Sequence, residues 1–282
     1  MAMHTTLRWV AAACLLSIAA PLLAGPPLVT NDPDTPGANG YEFDVSNDVT
    51  KTRDALTMAA PFLDLNYGTN DHNQFTAEFP LINFVSPEDG GEPTAGFGDL
   101  MLGYKDRFLD EKDIGVSVST FPQVLIPTGN KATGVGQGLT ELLLPLEFGK
   151  HFFGKKLYIY GEAQYYLSLS GSRYSSLFSG IVAEYEVTKK FSVMSEFANF
   201  DFPGHGLPDD PFFNVGFSYK FSEHVALIGS AGRSFRDREF DVPEFTSYLG
   251  FQFTGDFKKD KESDEGDKNA GNAGAAGEKK EE

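Results

Sequence analysis

Between Gly40 and Phe257 apolar and polar residues alternate with a period of two. In "LYIYGEAQYYLSL", Leu157, Ile159, Ala163, Tyr165, Leu167 and Leu169 share one face, while Tyr158, Tyr160, Glu162, Gln164, Tyr166 and Ser168 share the other. "FFNVGFSYKF" sets Phe213, Val215, Phe217, Tyr219 and Phe221 against Asn214, Gly216, Ser218 and Lys220. Successive side chains of a strand point to opposite faces, so each segment carries one apolar face and one polar or small face. Twelve segments read this way: 40–52, 55–67, 73–84, 96–108, 112–126, 137–149, 157–169, 176–187, 190–202, 211–221, 223–234 and 244–257. Most exceed the roughly 5–6 residues of an average soluble strand. Several reach the roughly 9–11 residues that cross a bilayer at a tilt. The predicted fold class is all-β, a transmembrane antiparallel up-and-down β-barrel of about 12 strands over residues 40–257.

The connections sort by length, except that the one after strand 1 is short and "SGSRYSS" after strand 7 is intermediate. "GTNDH", "LDEK", "KHFFGKK", "VTKK" and "FSEH" follow strands 2, 4, 6, 8 and 10. "VSPEDGGEPTAG", "PTGNKATGVGQG", "PGHGLPDDP" and "SFRDREFDVPE" follow strands 3, 5, 9 and 11. Short turns at one end and longer loops at the other are the habit of outer-membrane barrels, with the short turns in the periplasm. An even strand number then puts both barrel ends on the periplasmic side. Tyr67, Tyr104, Phe108, Phe148, Tyr185, Tyr219 and Phe221 precede the short turns, where they would form an aromatic girdle at the lipid interface.

"GFGDLMLGYKDRF" (96–108) opens with Gly-x-Gly. A phosphate-cradling loop requires a strand before it and a helix after it, and neither flank fits. It reads as a strand with Leu100, Leu102 and Tyr104 outward and Asp99, Lys105 and Arg107 inward.

The ends differ from the middle. Residues 1–24 have a short polar start, an apolar run from Trp9, then Pro21 and small residues, which is the layout of a signal peptide. The one cysteine, Cys14, falls within it, so the remaining chain has no disulfide. Residues 25–39, "GPPLVTNDPDTPGAN", are rich in Pro, Gly and Asp. A flexible leader is the simpler reading of them, and a partial plug folded into the periplasmic mouth is the other. Residues 258–282 hold mixed charge and no large apolar side chain, as in a disordered tail.

Charge changes the picture further. The chain has 23 Lys and Arg against 40 Asp and Glu, a net of −17, which excludes phosphate-neutralising contact with nucleic acid. A Lys or Arg facing mid-bilayer lipid costs about 2–4 kcal/mol, and acids somewhat less. The many carboxylates must therefore point into a lumen or lie beyond the membrane. Lumen-lining candidates are Asp64, Glu78, Asp99, Glu141, Glu162, Glu184 and Glu196, opposed by Lys105, Arg107 and Lys220. Glu42, Asp44 and Glu186 belong with them, and Glu147, close to a predicted strand end, is an interfacial candidate. Such a lumen would favour cations over anions; the plainer reading is a polar filling of acids paired with bases. Tyr158, Tyr160 and Tyr166 could stack aromatic solutes, although ordinary filling explains them as well.

No catalytic constellation emerges. His72, His151 and His224 fall in or beside short turns and His205 in a long loop, and no dense metal-ligand spacing exists. Asp209 with Asp210, or Asp237, Glu239 and Asp241, have the oxygen chemistry of a Ca²⁺ site, but solvated loop charge accounts for them. The expectation is no enzyme, no cofactor and no metal.

"GPPLVTNDPDTPGANGYEF", "GFGDLMLGYK", "FPQVLIPTGN" and "LLLPLEFGKHFFGKKLYIYGEAQYYL", in that order, resemble the Gram-negative outer-membrane channel family known as the MetA-pathway of phenol degradation family. The resemblance spans nearly all of the chain from residue 25 to Phe257. It implies a transporter-like barrel and transfers no defined binding residues. The charged tail departs from the family pattern and alters how a C-terminal assembly signal would be read. The expected function is passive uptake of small solutes, aromatic or hydrophobic ones among them, across a Gram-negative outer membrane. The expected partners are outer-membrane lipid, those solutes and the barrel assembly machinery. A non-transporting structural or surface barrel, or a soluble periplasmic β-sandwich binding protein, are the alternatives.

Overall fold

The computed structural model describes residues 26–170, 175–204, 207–237 and 242–257. The signal peptide expected over 1–24 and the tail expected over 258–282 lie outside the described residues, as do His205, Glu239 and Asp241. The strands are β1 (Gly40–Lys51), β2 (Ala55–Gly68), β3 (Asn73–Pro80), β4 (Asn83–Pro87), β5 (Thr94–Gly96), β6 (Leu100–Leu109), β7 (Ser117–Thr120), β8 (Gln123–Ile126), β9 (Glu141–Phe152), β10 (Leu157–Ser168), β11 (Ser176–Thr188), β12 (Phe191–Asp201), β13 (Asp210–Lys220), β14 (Val225–Ser234) and β15 (Phe245–Asp256).

Each strand pairs antiparallel with its neighbour, and β15 returns to β1 along its whole length, from Gly40 opposite Asp256 to Lys51 opposite Phe245. The result is a closed 12-strand antiparallel barrel. The extra strand labels arise because three staves are interrupted. β3 and β4 form one stave, pairing with the two halves of β2. β5 with β6, and β7 with β8, form the next two. Prolines mark the breaks: Pro80 ends β3, Pro61 lies opposite in β2, and Pro122 separates β7 from β8. A proline cannot donate to the ladder, so pairing lapses and resumes beyond it. A Cβ at Gly98 would lie 2.0 Å from Pro80 Cγ, so only glycine fits beside that break.

β1, β9, β10 and β15 each have 12 residues. At ~3.3 Å per residue and a tilt near ~45°, such a strand rises about 28 Å, the thickness of the hydrocarbon layer. The outward face is predominantly apolar. In β9, Leu144, Leu146 and Phe148 are exposed while Glu141, Leu143 and Glu147 between them are buried. Tyr67, Tyr104, Phe108, Phe148, Tyr185, Tyr219 and Phe221 are all exposed close to the short connections. Exposed aromatics gathered toward the short connections suit a membrane interface. We expect Val215→Arg, at an exposed position in the middle of β13, to cost about 2–4 kcal/mol of folding stability. Reversible urea unfolding in lipid vesicles measures it, with an arginine at the turn residue Ser222 as a near-neutral control.

Two predicted boundaries differ from the structure. The segment 112–126 is not one strand, because Glu111–Ile114 forms a helical turn, α1, between Asp110 and Gly115. Acids in its first turn suit the positive end of a helix, and Gly115 closes it at φ 83°. Ile114, alternating with Val116 and Val118 in sequence, mimicked a strand. The segment 137–149 is displaced in the other direction: β9 runs to Phe152, and residues 127–140 form a loop folded onto the barrel.

Candidate functional site

The inward faces of the staves and the segment before β1 make up the interior. From Asn39, whose N–H donates to the Gly68 carbonyl at 2.8 Å, the chain runs backward into the barrel. The Ala38 N–H donates to Asp71, and Asp34 pairs with Arg107 at 3.1 Å. Deeper in, the Lys105 ammonium donates to the Asp32 carbonyl at 2.5 Å. The Asn31 N–H and side-chain amide both donate to Glu162, at 3.2 and 3.0 Å. The N–H groups of Thr30 and Val29 donate to Glu196 at 2.6 and 3.3 Å, and the Pro27 carbonyl accepts from Ser230. Leu28 packs with Tyr158, Tyr160, Val182 and Met194. Gly180 provides the room: a Cβ there would sit 2.0 Å from Thr30 Oγ1.

These contacts follow from the chemistry of a peptide inside a barrel. An irregular segment outside a sheet has unpaired N–H groups, and burying them without acceptors costs about 1–3 kcal/mol each. Glu162 and Glu196, themselves buried, supply acceptors and have their own charge solvated in return.

The predicted lining residues fall into four groups. Asp64 and Glu78 lie directly opposite each other on β2 and β3, both buried, and bound a cavity of about 150 Å³ beside the N-terminal segment. Lys105, Glu162 and Glu196 hold that segment, as described. Glu147 belongs with them: it is fully buried, 3.3 Å from Lys105, and accepts from Ser119. Its expected interfacial position is therefore wrong, because β9 extends past the predicted end and leaves Glu147 well inside the strand. Arg107 and Lys220 lie toward the end with the short connections, Lys220 exposed at the end of β13 and Glu184 half-buried opposite Tyr158. Arg107 also pairs with Asp110, which further contacts Lys112 and His72. Desolvation raises the Asp110 carboxyl, but the bond from Lys112 and the charges of Arg107, Lys112 and His72 together outweigh it and hold the group below its usual range.

The remaining candidates do other work. Asp99 does not face an open lumen: its carboxylate accepts the N–H groups of Gly129 and Gln137, at 2.8 and 2.6 Å, and fastens the loop 127–140. Glu141 is buried at the loop end of β9. Tyr158 stacks on His151, with ring centroids 4.0 Å apart and planes within 6°, and touches Tyr160 at 5.1 Å. Tyr166 packs instead against Phe200.

One layer was not foreseen. Met101, Leu125, Leu143, Tyr166, Phe178, Ala198 and Phe212 are buried together inside the barrel with Val29, and Phe200 packs against them. The Phe178, Phe200 and Phe212 rings lie 5.1–6.2 Å apart. The signal was present in the sequence. Met101 in "LML", Phe178 in "LF" and Phe212 in "PFF" occupy polar-face positions, where strict alternation calls for a polar or small residue.

An apolar exterior, a closed ladder and a charged interior define a β-barrel of the outer-membrane type. Among the described residues, no group of three or more His, Cys, Asp or Glu side chains is placed to hold a metal ion. No protein-family profile matches the chain, and no curated protein sequence matches it either. Among solved structures, it is similar to an outer membrane channel from Pseudomonas putida F1, with 17% identity and a TM-score of 0.64, covering 83% of this chain and 100% of that one. It is also similar to the NanC porin, with 10% identity and a TM-score of 0.56, covering 75% and 98%. At these identities the likeness is one of fold.

Proposed function

We propose that this chain is an outer-membrane channel through which small solutes diffuse passively, and that the segment 26–38 closes the pore in the conformation seen here. The observation that carries the reading is the capture of that segment by inward carboxylates. Glu162 and Glu196 bind peptide N–H groups of a segment that contributes no strand to the wall. A barrel with a purely structural interior has no need of a removable filling. The resemblance to the phenol-degradation channel family and the channel-like fold point the same way.

The interior sets the preference. Carboxylates outnumber bases around it, so an open lumen would pass cations more readily than anions. In planar bilayers under a KCl gradient, the open channel is expected to show a reversal potential shifted toward that of K⁺. A shift toward that of Cl⁻ counts against this preference. Flux of small solutes into proteoliposomes separates a channel from a non-transporting surface barrel, and a requirement for detergent separates both from a soluble sandwich. Aromatic or hydrophobic cargo is a second reading, favoured by Tyr158 and Tyr160, which lie beneath Leu28 and would be uncovered when the segment withdraws.

A further inference from the structure

We infer that the cavity between the N-terminal segment and strands β1–β3 is a binding site for a small organic cation bearing a primary ammonium or guanidinium group. The inference begins with register. Asp44 faces Asp64 across the β1–β2 pair, and Asp64 faces Glu78 across the β2–β3 pair. Three carboxylates thus stand side by side on neighbouring strands. Like charges directly opposed in a sheet are destabilising, and such a row is relieved by shared protons or by a compensating charge.

The chain does not supply enough of it. The cavity is bounded by Glu42, Asp64, Glu78, Asp32 and Asp34, against a single base, Lys105. Asp34 is taken by Arg107. The Lys105 ammonium attracts Glu42, Asp64 and Glu78 across the cavity but makes its close contacts with Glu147 and the Asp32 carbonyl. Glu78 is 3% exposed, and its Oε2 has no hydrogen-bond partner. A buried carboxylate oxygen without a donor beside such a cavity marks a place where a donor belongs.

The geometry selects the kind of cation. No three carboxylates converge closely enough for a metal ion among the described residues. An ammonium or guanidinium spreads its hydrogen bonds over several acceptors at wider spacing. Lys105 shows how this interior treats such a group: its ammonium sits between a carboxylate and a carbonyl and 4.7 Å from the centre of the Phe121 ring. Phe121 also lines the cavity, as do the amide side chains of Asn66 and Gln74. A second cation there would meet Glu78, Asp64 and Glu42, with the amides of Asn66 and Gln74 beside them on β2 and β3. The site stands whether or not the lumen conducts.

Calorimetric titration of the full mature protein in detergent at low ionic strength, with agmatine as the probe, tests this. Saturable one-to-one binding is expected, weakened at least tenfold in both Glu78→Gln and Asp64→Asn. Glu223→Gln, in a periplasmic turn, should leave it unchanged, and N-butylurea, the neutral counterpart, should not bind. Heat-modifiable migration on gels identifies the variants that retain the barrel. Absence of saturable binding overturns the site, as does full-affinity binding to a folded Glu78→Gln variant. Stoichiometric displacement of agmatine by Ca²⁺ overturns the organic-cation assignment in favour of a metal. Because the readout is binding, its failure leaves the channel reading untouched, and loss of conductance leaves the site untouched.

Discussion

Excision of residues 27–36 is expected to convert a largely closed channel into one whose single-channel conductance is several times larger and sustained. The segment fills the middle of the barrel, and its removal leaves Glu162, Glu196 and Lys105 facing water instead of peptide. The wall does not depend on it. β1 begins at Gly40 and is paired on both sides, with β2 and β15, so the excised chain should keep the heat-modifiable migration of a folded barrel. The converse experiment uses the close approach at Gly180. A Cβ placed there would lie 3.1 Å from Thr30 Cβ, slightly inside the roughly 3.5–4.5 Å of a disulfide, a gap that a small shift of the segment provides. The double variant Thr30→Cys, Gly180→Cys should stay closed when oxidised and open after reduction. An excised chain that remains shut would move the barrier to the Phe178, Phe200 and Phe212 layer and end the plug reading. An oxidised double variant that conducts normally would do the same.

The barrel was legible because its physics is periodic. Alternation in "LYIYGEAQYYLSL" places Glu162 and Gln164 inside and Ala163 and Tyr165 outside, as the burial of β10 has them. The rule fails where backbone pairing is interrupted or overridden. Pro122 splits a stave that the pattern reads as continuous, and α1 forms because Gly115 at positive φ ends a turn that Ile114 disguises as strand. The interior was legible in residue type and not in contact. Alternation says that Asp99 and Lys105 point inward. It cannot say that Asp99 is spent on the loop 127–140 while Lys105 meets Glu147 and the Asp32 carbonyl. Those pairings join residues 30–73 positions apart in the chain. The segment 26–38 is the extreme case. It has no period of its own, and its path is fixed by side chains on β6, β10, β12 and β14.

That dependence makes Glu196 the most telling single residue. Its carboxylate accepts from the N–H groups of Val29 and Thr30 and from the Asn214 amide, at 3.3, 2.6 and 2.5 Å, and the side chain has no solvent exposure. Replacing it with leucine removes the acceptor and keeps an aliphatic side chain of similar bulk. A hydrogen bond to a charged group contributes about 1.5–3 kcal/mol net. Losing two of them from the segment should weaken its hold by about 3–6 kcal/mol, a shift of roughly a hundredfold or more in favour of the withdrawn state. The segment can leave and hydrate its N–H groups, whereas the wall keeps its full ladder, so the loss should appear as undocking and not as unfolding of the barrel. Amide hydrogen exchange at Val29 and Thr30 should accelerate by a comparable factor while exchange in β10–β13 stays slow. Glu196→Gln, whose amide oxygen can still accept, should fall between Glu196→Leu and the unaltered chain. Unchanged protection at Thr30 in a folded Glu196→Leu barrel would mean that apolar packing of Leu28 and Val29 holds the segment, and that the carboxylate only accommodates it.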